Sequence, residues 1–208
     1  MSCHWLQKKE YSSYTSVTCW IRTLFPNSAS SPVNIYAANK GIALHKDIEN
    51  YYKQKPVVND SAEYQQFMSF VQEHAHLTPY WIERHIQTED LHLTGVVDMV
   101  YIDDYEQYWL YDWKRSKGLD DVSQILDIHT LQDVPYSLTN LYVLQLNLYR
   151  IIMEMEYDMN IQEMRVVLFH PSNTDYTIVD IPRLPMSLER DLIEMRRASV
   201  ASPFLREK

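Results

Sequence analysis

The chain has 208 residues, of which 46% are hydrophobic and 23% charged, a composition that fits one globular domain and excludes a disordered chain. Its 19 basic and 28 acidic side chains give a net charge of −9, which excludes binding of nucleic acid by bulk attraction alone. With 3 glycines and 2 cysteines, the chain has neither a glycine-rich phosphate loop nor the ligands of an iron–sulfur cluster or four-cysteine zinc site.

The beginning of the chain, MSCHWLQKKEYSSYTS, has no continuous apolar segment of the kind found in secretory signals. No apolar run approaches the roughly 20 residues needed to span a bilayer. We therefore expect an intracellular protein, cytoplasmic or nuclear, that is not secreted and has no membrane partner.

The first part of the chain is rich in Ser, Thr, Asn and Pro, as in FPNSASSP. We expect residues 1–35 to form an extension packed on a domain that spans 36–208. Apolar residues with a helical period predict helices over 36–53 and 60–74, the second of which is closed by Thr78-Pro79.

Strands dominate the next part of the chain, where the hydrophobic period changes to two. Three strands are predicted, at 80–87, 93–102 and 107–115. A long helix follows at 138–159, then two strands and a closing helix, at 164–170, 176–181 and 187–199. The order ααβββαββα predicts an α/β fold with a central mixed sheet of about five strands flanked by helices.

Asp98, Asp112 and Lys114 are the residues of this pattern that need explaining. Asp112 and Lys114 are two apart on a strand, so their side chains project from one face. If the second and third strands form a hairpin with Tyr101 opposite Trp109, Asp98 lies directly across from Asp112. Facing carboxylates on apolar strands need a compensating charge, which Mg²⁺ supplies because it prefers carboxylate oxygens. The alternative is a solvated Asp98 beside a simple Asp112–Lys114 ion pair.

Two helices carry polar residues on otherwise apolar faces. Gln145 and Tyr149 are spaced i, i+4 on the long helix and project together. A buried amide needs a hydrogen-bond partner, which either the core or a ligand supplies. His45 on the first helix is either a packed core histidine or an additional ligand for Mg²⁺ or Mn²⁺.

In this order along the chain, these motifs resemble the RecB-like branch of the PD-(D/E)XK nucleases. The resemblance covers about residues 38–181 and rests on His45 in GIALHKDIENYY, Asp98 in TGVVDMVY, the D-W-K of 112–114 and the Q-x-x-x-Y of QLNLY. YDWKRSKG is also similar to the D-W-K-T-S of the mitochondrial genome-maintenance exonuclease group. The resemblance implies a restriction-endonuclease-like core and a deoxyribonuclease that uses one or two Mg²⁺ or Mn²⁺ ions and no iron–sulfur cluster.

The resemblance also implies a role for each residue. His45, Asp98 and Asp112, with the main-chain carbonyl of Trp113, would bind the metal. Lys114 would orient or deprotonate the attacking water. Glu83, an acidic residue on the first strand, would either tune the site or simply pair with Arg84 or His85. The residues expected to contact DNA are Gln145, Tyr149, Arg115, Ser116 and Lys117. Arg115 departs from the pattern, which has Thr at this position.

The expected function is hydrolysis of DNA phosphodiester bonds, as an exonuclease on DNA ends or single strands in replication, repair or recombination. A protein partner from a replication or recombination complex is compatible with the short chain. The alternative is a non-catalytic nuclease-fold module that binds nucleic acid or protein within a larger assembly. Asp98, Asp112 and Lys114 together favour the enzyme, because inactive relatives usually lack the lysine or one carboxylate.

Overall fold

The computed structural model describes residues 14–26 and 35–201. Its strands are β1 Thr15–Ser16, β2 Thr78–Thr88, β3 Leu93–Ile102, β4 Tyr108–Lys114, β5 Ile161–Leu168 and β6 Thr177–Ile181. Its α-helices are α1 Val17–Thr23, α2 Ile35–Tyr52, α3 Ala62–Glu73, α4 Leu138–Glu156 and α5 Met186–Ala201. Two short 3-10 helices, Val122–Asp127 and Leu131–Asp133, connect β4 to α4. The predicted order of elements after residue 35 is confirmed.

Serine hydroxyls start three of the helices. The side chain of Ser16 accepts a hydrogen bond from the Cys19 amide at 3.3 Å and caps α1. Ser61 and Ser137 begin α3 and α4 in the same way. Such caps satisfy amide groups that have no partner inside the helix. Within the described residues, no helix combines the length and apolar character needed to cross a membrane.

β1 and α1 were not predicted as elements, because a two-residue strand and a seven-residue helix leave little periodic signal. Both are held by the rest of the fold: β1 pairs with β3, and Val17, Trp20 and Ile21 of α1 are buried. Residues 1–13 and 27–34 lie outside the described residues. The division into an extension at 1–35 and a domain at 36–208 stays a prediction.

The six strands form one mixed sheet, and this confirms the predicted architecture. β2 is antiparallel to β3 along the whole of β3. The opposite edge of β3 is shared, since β1 pairs with it in parallel at Leu93 and Thr94, and β4 pairs with it from Met99 to Ile102. β5 is parallel to β4, and β6 is antiparallel to β5.

β3 and β4 separate at one end, and we call the gap between them the fork. Tyr101 lies opposite Trp109, so the predicted register is confirmed. The last pair of this ladder is Met99–Tyr111, whereas β4 stays paired with β5 as far as Lys114. The edge of β3 that faces β4 therefore has no β4 partner in the stretch that contains Asp98.

The two faces of the sheet are covered by different helices. Leu110 packs in a core that contains residues of α1, α4 and α5, whereas Tyr111 and Trp113 pack in a second core with residues of α2 and α3. This alternation confirms that Asp112 and Lys114 share the face of Leu110. The polar end of β4 therefore points toward α4, beside the fork.

Candidate active site

Glu83 and Asp98 lie opposite each other on β2 and β3. The pairs on either side are Ile82–Met99 and Arg84–Val97. The backbone of Glu83 has a φ of 48°, a left-handed conformation that is uncommon for a residue with a side chain. Conformations of this kind persist where the surrounding structure enforces them, and they cluster at functional sites.

The side-chain alternation of β3 reverses at this position. Val97 packs in the core that contains α4, and Val100 packs in the same core although it is three residues away. Met99 packs in the core that contains α2 and α3. In a regular strand, Val97 and Met99 would face the same side. The reversal occurs across Asp98, next to the strained Glu83, and so this part of the sheet is built around the two carboxylates.

His45, Glu83 and Asp98 converge on one point. Each offers a ligand atom that lies within 4.8 Å of those of the other two. His45 Nδ1 is 3.5 Å from Asp98 Oδ2. Two carboxylates and an imidazole are a donor set that suits Mg²⁺ or Mn²⁺. The residues present therefore fit a divalent metal ion.

The pKa of Glu83 reflects this crowding of charged groups. Burial raises its pKa to about 8, with further contributions from the negative charges of Asp98 and Glu49. Like charges that share a buried site cannot all ionise without compensation. A cation bound at this point would provide the compensation that a proton otherwise provides.

Asp112 and Lys114 form a second polar group at the end of β4. Asp112 is 1% exposed, and its Oδ2 is ion-paired with Lys114 Nζ. Burial raises the pKa of Asp112 to about 6, although the charge of Lys114 opposes the shift. Burial alone would lower the pKa of Lys114, but the charges of Asp112 and Asp98 outweigh it and the pKa is raised. In the metal-free protein, Lys114 is therefore a cation.

Asp98 reaches across the fork by its side chain. Its Oδ2 accepts a hydrogen bond from the Trp113 amide at 2.9 Å. Asp98 and Asp112 were predicted to face each other in the ladder, but the ladder stops one position earlier. The contact with Trp113 replaces that pairing. The role of the Trp113 carbonyl as a metal ligand stays a prediction.

Gln145 and Tyr149 of α4 form the inner wall of the site. Gln145 Nε2 donates to Asp112 Oδ1 at 3.2 Å and lies 3.3 Å from the Tyr149 hydroxyl. The partner that the buried amide required is therefore a residue of the site. Gly95 on β3 leaves room for Tyr149, since an added Cβ would lie 3.1 Å from Cζ of the ring. Their contact with DNA stays a prediction.

The three residues after Lys114 have different environments. Arg115 Nε donates to Glu63 Oε1 of α3 at 2.7 Å, and this ion pair ties the end of β4 to α3. Ser116 donates to the Gly118 carbonyl at 3.0 Å, and Lys117 is exposed. The DNA contacts of Arg115, Ser116 and Lys117 stay predictions.

An open cleft of about 780 Å³ is lined by His45, Glu83, Lys114 and Arg115. Its floor includes Glu83 and Lys114, and α2 and the beginning of α4 form its walls. Glu49 of α2, one helical turn after His45, also lines it. Sequence reasoning gave no role to Glu49, although it shares a helix face with His45, or to Glu63, whose partner is 52 residues away.

No family model and no curated protein sequence matches the chain. Among solved structures, an alkaline exonuclease (LHK-Exo) from Laribacter hongkongensis is similar at 12% identity with a TM-score of 0.48, over 92% of this chain and 87% of that one. The protein SSO0001 is similar at 12% identity with a TM-score of 0.43, over 97% of this chain and 79% of that one. Neither likeness assigns an activity to this chain, so the argument for function depends on the site.

Proposed function

We propose that this protein is a divalent-metal-dependent nuclease that hydrolyses phosphodiester bonds in DNA. The observation that supports it best is the convergence of His45, Glu83 and Asp98 within 4.8 Å, beside a cleft that His45 and Glu83 line. The Asp112–Lys114 pair lies across the fork from Asp98 and completes a set of acidic and basic groups suited to phosphate chemistry.

His45, Glu83 and Asp98 would hold a Mg²⁺ or Mn²⁺ ion, and Asp112 offers a further carboxylate. When bound, the ion acts as a Lewis acid toward the phosphate and its attacking water. Lys114 donates hydrogen bonds from its ammonium group to the water or to a phosphate oxygen, and so orients the attack. Gln145 holds Asp112 by a hydrogen bond and keeps its carboxylate beside Lys114. Asp112 and Lys114 therefore enter the reaction in a fixed orientation.

The finer proposal is an exonuclease that acts inside the cell on DNA ends or single strands, in replication, repair or recombination. This finer proposal follows from the resemblance of the motifs to the RecB-like branch of the PD-(D/E)XK nucleases.

The test is hydrolysis of end-labelled single-stranded and duplex DNA with Mg²⁺ or Mn²⁺, with an EDTA control. We expect metal-dependent cleavage that falls by at least about a hundredfold in Lys114→Ala, the lower range for loss of a positioned proton donor or acceptor. Arg190→Ala, which removes an exposed cation from α5, serves as the matched control and should cleave normally. Circular dichroism establishes that both variants are folded.

The product ladder separates the finer alternatives. Stepwise shortening from labelled ends supports an exonuclease, and internal fragments at early times support an endonuclease. If the wild-type protein neither cleaves nor binds metal by calorimetry, the enzyme proposal is wrong and a non-catalytic binding module takes its place.

A further inference from the structure

A second cavity lies at the carboxyl end of α2. It has a volume of about 500 Å³, within the range of small-ligand sites. We call it the tyrosine pocket, and its lining includes Tyr51, Tyr52, Phe70, His74, Ala75 and Tyr101. The rings meet edge to face, as Tyr51 and Tyr52 do with centroids 5.2 Å apart. Phe70 and Tyr101 are buried, so the half-buried rings of Tyr51, Tyr52 and His74 provide the accessible aromatic surface of the lining.

The tyrosine pocket and the metal-ligand cluster lie along one face of α2. His45, Glu49 and Tyr52 follow each other at helical spacings of four and three residues. From His45 to Tyr52 the helix rises about 10 Å, at about 1.5 Å per residue. On the neighbouring strand, Asp98 belongs to the cluster and Tyr101 to the pocket. A linear ligand that passes the cluster along α2 therefore reaches the pocket.

Two lysines flank this path. Lys46 and Lys53 both donate to the Glu49 carboxylate, at 2.7 Å and 2.6 Å. Their side chains remain 58% and 38% exposed. Glu49 thus holds two accessible cations beside the path, at a spacing of about two helical turns. Phosphates attract such cations and contribute most of the affinity of nucleic-acid complexes.

The lining of the tyrosine pocket also suits a polyanion, because over the described part of the chain it places no negative charge against the phosphates. Although the chain has 28 acidic residues, none of the described residues that line the tyrosine pocket is acidic. Aromatic faces stack on bases regardless of sequence, because every base has a π-face. A base can enter such a cavity only when it is unpaired.

We propose that the tyrosine pocket binds an unpaired base of the nucleic-acid strand whose phosphodiester lies at His45, Glu83 and Asp98. Lys46 and Lys53 bind the phosphates between the reacting bond and that base. This inference rests on the proposed nuclease function and adds to it a defined strand path along α2. The enzyme therefore requires a short single-stranded segment on one side of the bond that it cleaves.

The first test fills the tyrosine pocket. Ala75 is an exposed residue of its lining, so Ala75→Trp obstructs it without altering the core, and Gln72→Trp places the same ring on exposed α3 outside the lining. Binding of fluorescent single-stranded oligonucleotides is measured by anisotropy in the Lys114→Ala background with Mg²⁺. Ala75→Trp should raise the Kd at least about fivefold, the lower range for loss of one stacked base, and Gln72→Trp should not.

The second test locates the base. Oligonucleotides with a single abasic site at successive positions should bind at least about fivefold more weakly at one position only, and Ala75→Trp should remove that dependence. Lys53→Ala should reduce the slope of log Kd against log salt by about 0.7, the value for one phosphate contact with a single strand, and exposed Lys55→Ala should not.

The outcomes separate this inference from the proposed function. If the wild-type protein cleaves DNA with metal but the abasic profile is flat and Ala75→Trp binds like Gln72→Trp, the tyrosine pocket does not bind a base. In that case the nuclease assignment stands. If the wild-type protein neither cleaves DNA nor binds metal, both are overturned.

Discussion

Replacement of Gly95 by alanine tests the contact between β3 and α4 that supports the site. The new Cβ would overlap Cε1 of the Tyr149 ring and lie 3.1 Å from Cζ and 3.2 Å from the hydroxyl oxygen. Tyr149 is 4% exposed and cannot turn into solvent, and Gly95 is fixed by its pairing with Ile86 of β2. Relief of the overlap therefore requires a shift of α4 or of the sheet.

The expected cost follows from two opposing effects. Overpacking of a filled core costs about 1–3 kcal/mol. Alanine restricts the unfolded chain more than glycine does, which restores about 0.4–1 kcal/mol. The difference between the midpoints of these ranges is about 1.3 kcal/mol, and we expect the free energy of unfolding of Gly95→Ala to fall by about this amount. For a chain of this size the Tm falls by about 3–5 °C, at about 2–4 °C per kcal/mol.

Urea denaturation of the wild type and the variants measures this effect. Gly118→Ala is the matched control, because no atom lies within 4 Å of its added Cβ and its φ is not positive. It should be as stable as the wild type or slightly more stable. In a Tyr149→Leu background the cost of Gly95→Ala should shrink, because the overlapping ring is gone. Equal midpoints for Gly95→Ala and Gly118→Ala, or an undiminished cost in the Tyr149→Leu background, would refute the reasoning.

Two further predictions concern ionised groups. In EDTA, the raised pKa of Glu83 means that the folded protein binds this proton more tightly than the unfolded chain, where the carboxyl has its ordinary value of 4.5. Stability of the metal-free protein should therefore decrease as pH rises from about 5 to about 8, and Glu83→Gln should flatten that slope in urea midpoints. An unchanged slope in the variant would contradict the assignment. Glu63→Gln removes the carboxylate that pairs with largely buried Arg115 and should cost about 1–3 kcal/mol in thermal unfolding. Exposed Glu156→Gln should cost almost nothing, and equal losses in the two variants would argue against the ion pair.

Local sequence patterns were sufficient to predict most of the strands and the pairing of β3 with β4. β3 begins and ends at Leu93 and Ile102 as predicted, because its apolar run is long and its boundaries are polar. The Tyr101–Trp109 register is confirmed, since the turn between the strands leaves few alternatives. The face shared by Asp112 and Lys114 follows directly from strand geometry.

The details of the site depend on contacts that local patterns do not contain. The β3–β4 ladder ends before Asp98, whereas the other edge of β4 stays paired with β5 as far as Lys114, and that pairing joins residues about fifty positions apart. The reversal of alternation across Asp98 coincides with the left-handed Glu83 on a neighbouring strand. The ion pair of Arg115 with Glu63 is likewise a product of tertiary structure. Residue types and spacing thus indicated the candidate groups, and the fold determined which of them meet.

The attachment of α2 has a consequence for binding equilibria. Of its eighteen residues only Leu44 and Ile48 are buried, and Tyr51 and Tyr52 pack against the core at the carboxyl end, so little apolar area holds the first half of the helix. Segments with few buried contacts open at a lower free energy than the global unfolding reaction. Because α2 carries His45, each local opening removes one of the three candidate ligands from the cluster and a wall from the cleft. The affinity of the proposed site for a metal ion would therefore include the free energy of seating this helix, and a bound ion would in turn increase the population of the seated form.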